Sequence, residues 1–175
     1  MDHSATTPVD GRVVEAMLPY LTERFGNPSS VHFYGQEARA AGERARREVA
    51  ALIKARPNDL VFLSGGTEAT NLAIPGVCEL NEERVRHVIT SAIEHSSVRG
   101  ICDALERRDW EVTGLPVYSD GLVRVEDVRA ALRPDTVLVT VHLANNEIGT
   151  VQPVAALGAL VRERRAQGEK HLCLH

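Results

Sequence analysis

Downstream of residue 57, short apolar runs alternate with stretches of helical periodicity. This rhythm limits the fold more than any other feature. Thr136-Val137-Leu138-Val139-Thr140-Val141 is the most β-branched run. Apolar residues at successive positions fit a strand buried on both faces. His87-Val88-Ile89-Thr90 and Trp110 to Leu115 read the same way, as does Leu60-Val61-Phe62-Leu63, and His171 to His175 begins a further strand. Between them lie predicted helices at 68–80, 96–107, 125–132 and 154–166, with a turn at Ser119-Asp120-Gly121. Strands separated by helices of this length imply parallel βαβ crossovers with helices on both faces. The expected fold is therefore α/β, a three-layer αβα arrangement around a mostly parallel sheet, and incomplete.

Upstream, residues 10–24 place Val13, Val14, Met17, Leu18 and Leu21 on one helical stripe, with Pro19 as a kink. Phe25-Gly26-Asn27-Pro28-Ser29-Ser30 is loop chemistry. An Ala-rich amphipathic helix is predicted over 35–54, ending before Pro57. We expect residues 1–14 to form an N-terminal segment and 15–175 a partial large domain.

Apolar content of 43% in 175 residues is enough to build a core. A net charge of −4, with both signs interspersed, argues against nucleic acid or an anionic membrane as partner. No run reaches the roughly 18 apolar residues of a membrane span, and Met1-Asp2-His3-Ser4 does not open a secretory signal. Three widely spaced cysteines, Cys78, Cys102 and Cys173, read as buried structural thiols in a reducing compartment, so the expected location is the cytoplasm.

Three polar clusters fall at predicted strand ends. Ser64-Gly65-Gly66-Thr67 joins a strand to a helix. Glycines let the backbone approach a ligand, and a helix N-terminus offers free N–H groups to an anion. The turn reads either as a phosphate cradle or as an ordinary helix start. It is neither G-x-G-x-x-G nor a Walker lysine motif, so nucleotide readings lack support. Glu94 and His95 follow a second strand; the histidine is a helix cap, a ring-stacking group or a proton shuttle. Asn145-Asn146-Glu147 follows the strongest strand and reads as ligand contacts or as a polar loop with Asx turns. In open α/β sheets this edge is where ligands bind. His171, Cys173 and His175 alternate on one strand face, an arrangement able to hold zinc, but we expect an ordinary strand there and no metal.

Taken together, Asp2-His3-Ser4-Ala5-Thr6-Thr7-Pro8, Phe25 to His32, Ser64 to Glu68, Glu94-His95 and Asn145 to Gly149 occur in the order and spacing of the cysteine desulfurases. The chain thus resembles that family, which belongs to the class V aminotransferase group of fold-type I enzymes dependent on pyridoxal 5'-phosphate (PLP). The resemblance runs along essentially the whole chain.

It implies that Gly66 and Thr67 hold the PLP phosphate. His95 would stack on the pyridine ring and assist proton transfer, and Asn146 would contact the ring-oxygen side. Ala5, Thr6 and Thr7, with Asn27, would lie near the substrate mouth, and Gln152 is a weaker neighbour. The implied substrate is L-cysteine, giving alanine and an enzyme persulfide that passes sulfur to acceptor or scaffold proteins. The implied full-length state is a homodimer. The family's cofactor-anchoring lysine, its pyridine-binding aspartate and its persulfide cysteine have no counterpart in these 175 residues, where Lys54 and Lys170 are the only lysines. The chain is therefore expected to be an N-terminal half, inactive alone. Selenocysteine lyase, another class V enzyme and a non-catalytic relic are the alternatives.

Overall fold

The β-branched run at Thr136 becomes the centre of the sheet. In a computed structural model, which describes His3, residues 6–81, Glu83 and residues 86–175, β3 (Thr136–Thr140) is buried at every position. It pairs with β1 (His87–Ser91) on one side and β4 (Cys173–Leu174) on the other, and β2 (Glu111–Leu115) lies beyond β1. All three pairings are parallel. Helices supply the crossovers. α4 (Ser96–Glu106) joins β1 to β2, α5 (Val125–Ala131) joins β2 to β3, and α6 (Val154–Ala166) joins β3 to β4. α3 (Gly66–Glu79) precedes β1.

Side chains alternate across the pleat, so neighbouring residues bury on opposite faces. Val88 and Leu138 pack with Ile74 and Cys78 of α3 and with Ile101 and Leu105 of α4. Ile89 and Val139 pack with Val128 of α5 and with Leu157 and Leu160 of α6. The expected three layers are present. Strand order β2-β1-β3-β4 has a consequence for function. The chain leaves β1 towards β2 but leaves β3 in the opposite direction, towards β4. Their loops diverge and open a crevice at the carboxyl ends of β1 and β3, the place where such sheets bind ligands. At the opposite end, fully buried His87 bonds through its two ring nitrogens to Thr136 and Thr113, each at 2.8 Å.

The chain divides into two compact units, residues 1–62 and 63–175, and the sheet belongs to the second. In the first unit, Asp10 caps α1 (Gly11–Thr22) by accepting from the Arg12 N–H at 2.9 Å. α2 (Phe33–Ile53) starts at His32 and stops at Lys54, whose φ of 56° is left-handed. The predicted boundary between residues 14 and 15 lies inside α1. The apolar stripe read from the sequence is present on α1, but Val13, Val14, Met17, Leu18 and Leu21 are all exposed.

One expected strand is absent. Leu60 to Leu63 pairs with no strand among the described residues, and Val61 and Phe62 are 67% and 52% exposed. A strand is held by its ladder, and this run has none. Within the first unit α2 serves it instead. The Arg46 guanidinium donates to the Leu60 carbonyl at 2.5 Å and lies 5.0 Å from the centre of the Phe62 ring.

Candidate active site at the strand-order switch

α3 begins at Gly65 with no side-chain cap. The Glu68 carboxylate, in the first turn, turns back to accept from the Ser64 N–H and hydroxyl at 2.7 Å each. Those bonds hold its carboxyl below the usual range. The first N–H groups of the helix are left to an outside acceptor, at the positive end of the helix dipole. Nothing crowds the turn: a Cβ on Gly65 or Gly66 would meet no atom within 4 Å.

Gly66 and Thr67 open onto a cavity of about 500 Å³ that also receives His95, Thr140, His142 and His175. This is a small-molecule volume. His95 is the N-cap of α4. Its Nδ1 accepts from the Ser97 N–H at 3.1 Å and lies 2.8 Å from the Ser97 hydroxyl, which fixes the ring at the loop's end. The helix-cap reading and the site reading thus describe the same exposed side chain. Nδ1 of His175 sits 3.0 Å from the Thr140 hydroxyl. Burial pushes its imidazole below the ordinary value, against the opposing charge of Glu94. His142 lines the same space, and its Nδ1 is buried without a hydrogen-bond partner. Such an atom is costly unless something satisfies it.

The structure therefore brings Gly66, Thr67 and His95 into one cavity. Asn146 lies in a second hollow, which also receives His95 and Glu94. Its neighbour Asn145 is structural. It is buried, its Oδ1 accepts from the Glu147 and Ile148 N–H groups at 2.8 and 3.0 Å, and its Nδ2 donates to the Ile93 carbonyl at 3.0 Å. The Asx-turn reading holds for that residue.

Gln152 lines neither space. It is buried and bridges the Val123 N–H and the Gly121 carbonyl at 2.9 and 2.8 Å, which explains its burial without a site. Thr6, Thr7 and Asn27 lie in the first unit. Thr7 Oγ1 is 3.0 Å from His3 Nδ1, and Asn27 accepts from the Ser29 N–H at 2.9 Å in another Asx turn. Ala5 lies outside the described residues. Among the described residues no group of three His, Cys, Asp or Glu side chains is arranged to hold a metal. No helix there is long and apolar enough to cross a membrane. Sequence reading gave no role to Thr140 or His142, and weighed His175 only as part of a strand face able to hold zinc. Each follows or ends a strand at the crevice, and their convergence depends on β3 and β4 being neighbours in space.

The Aminotransferase class-V family model matches residues 1–167, and the chain belongs to that family. Its curated relatives narrow the comparison to one branch. The chain is 50% identical over 166 residues to a cysteine desulfurase IscS of Neisseria meningitidis serogroup C, covering 94% of this chain and 41% of that protein. A NifS-like protein of known structure matches with a TM-score of 0.94 and 37% identity, over 99% of this chain and 47% of its own. A structure described as SspA in complex with cysteine matches with a TM-score of 0.92 and 38% identity, over 99% of this chain and 48% of its own. The chain thus spans about 41% of the length of the curated relatives it matches.

Proposed function

We propose that this chain is the cofactor-holding N-terminal part of a PLP-dependent cysteine desulfurase. The observation that carries the reading is the meeting of an uncapped helix N-terminus, at Gly66 and Thr67, with His95 in one cavity at the strand-order switch. The donor set suits the cofactor. Backbone N–H groups and a hydroxyl suit a phosphate dianion. An imidazole face beside them suits an aromatic ring. His142 also lines the cavity, and its enclosed Nδ1 has no partner among the described residues. When bound, PLP supplies an electron sink for amino-acid chemistry.

The chain's residues would each have a limited task. Gly66 and Thr67 would bind the phosphate and so fix the ring's place. His95 would stack on the ring, and its Nε2 would hold or move a proton there; its Nδ1 is already engaged by Ser97. Asn146 would contact the ring-oxygen side from the neighbouring hollow, and Thr6 and Asn27, with Ala5, would serve the substrate mouth.

L-cysteine is the proposed substrate, and sulfur-acceptor or scaffold proteins the proposed partners of the whole protein. For the whole protein we propose a cytoplasmic homodimer, as the resemblance to the cysteine desulfurases implies. Cys78 and Cys102 are poor candidates for sulfur transfer. Both are buried, and burial pushes Cys78 up to about 12 and raises Cys102 too.

The test is a chimera. Residues 1–175 are joined to the complementary C-terminal part of the Neisseria relative, and sulfide release from L-cysteine is measured with PLP and a thiol reductant. The chimera should turn over cysteine, and His95→Ala should lower kcat by roughly 100-fold or more. A folded, PLP-loaded chimera whose turnover is indifferent to His95→Ala would refute the assignment.

A further inference from the structure

Glu94 is an anomaly beside the site. Among the described residues it is the one Asp or Glu that is buried, at 6% exposure, and no described lysine or arginine pairs with it. A buried carboxylate costs several kcal/mol unless strong hydrogen bonds replace its water. Two do. Oε1 accepts from the Ser91 hydroxyl at 2.5 Å and from the His142 N–H at 2.8 Å. Ser91 is the last residue of β1, and His142 lies two residues beyond β3. One oxygen therefore laces together the two strands whose loops diverge at the switch. Ladder bonds between the strands do not extend that far, since their register ends at Thr90 with Thr140. The carboxylate borders both the large cavity and the hollow holding Asn146, and the next residue is His95.

We propose that Glu94 is a positioning residue for the cofactor pocket: its bridge from Ser91 to the His142 N–H sets the width of the crevice and so the placing of His95 against the β3 end. The proposal rests on the functional reading above for its ligand, and on the bridge alone for its geometry. Reach is what matters here. Glutamine keeps an acceptor oxygen at the same distance from the backbone but carries no charge. Aspartate keeps the charge but is one methylene shorter, too short to meet both donors without moving a strand end.

The test compares wild type, Glu94→Gln and Glu94→Asp in the 175-residue chain. Amide exchange at His142, followed by NMR, reads the bridge. Affinity for pyridoxamine 5'-phosphate, which carries the phosphate and ring but no aldehyde to react with lysines, reads the pocket. Glu94→Asp should speed His142 exchange about tenfold or more and weaken binding by about the same factor. Glu94→Gln should stay within about threefold of wild type in both. The reverse order would assign the role to charge and overturn the proposal, as would equal effects of the two variants, or unfolding caused by glutamine. If wild type fails to bind the probe, the functional reading is at fault, and His142 exchange still decides the bridge.

Discussion

Replacing His87 with glutamine removes a titrating ring from the sheet and leaves a side chain that still donates and accepts. In the native chain the ring joins three strands, from β1 to Thr136 on β3 and Thr113 on β2, at 2.8 Å each. Those two bonds are together worth about 1–3 kcal/mol. Burial holds the imidazole below its ordinary value, and the charge of Arg133 adds to this, while Asp135 and Glu111 act in the other direction. In the unfolded chain a histidine titrates near 6.5. Between that pH and the lower folded value, the unfolded state binds a proton that the folded state does not. The stability contributed by His87 is then complete above about pH 6.5 and declines as the pH falls, with a limiting slope of about 1.4 kcal/mol per pH unit. Urea unfolding of both proteins, followed by circular dichroism at several values between about pH 8 and pH 5, isolates this group, because the other histidines cancel in the difference. The wild-type advantage should be largest at about pH 7.5 and shrink by roughly 1 kcal/mol by about pH 5.5. An advantage that stays constant, or grows on acidification, would refute the reasoning.

Further outcomes follow from other buried groups. Gly121 has φ of +73°, and a Cβ there would come within 2.7 Å of Thr150 Cγ2 and 2.9 Å of Ile148 Cδ1, so Gly121→Ala should cost about 1–3 kcal/mol in thermal unfolding. Gln152→Ala strips partners from the Val123 N–H and the Gly121 carbonyl and should cost about 1–3 kcal/mol in urea unfolding. Cys78, pushed up to about 12 by burial, should resist alkylation at about pH 8, with half-buried Cys173 labelled first in peptide mass mapping.

Much of the sheet was legible because a strand buried on both faces needs apolar residues at successive positions, and Val137-Leu138-Val139 supplies them. Predicted helix 154–166 coincides with α6 for the same reason of periodicity. Leu60 to Leu63 has the composition of a strand, but pairing depends on a neighbour that local sequence does not specify. The stripe on α1 likewise announces a helix without saying what covers it.

At the site, the glycine turn and His95 stood out because both fall where a strand gives way to a helix. Gln152, which the resemblance offered as a weaker neighbour of the site, uses its amide to hold a turn. Sequence reading picked out Glu94 as part of a polar cluster but assigned it no role, because its bonds span two strand ends that only the fold brings together. Thr140 and His175 meet across 35 positions of sequence, a contact set by the order of strands.

The central claim is that the Gly66–Thr67 turn and His95 act as one cofactor pocket. Its most direct test is a titration of the 175-residue chain with pyridoxamine 5'-phosphate, followed by ring fluorescence, for wild type, Thr67→Ala and His95→Ala. We predict saturable binding, weakened about tenfold by loss of the Thr67 hydroxyl and roughly three- to tenfold by loss of the His95 ring. Binding of equal strength in all three proteins, or none in a folded wild type, would contradict the account.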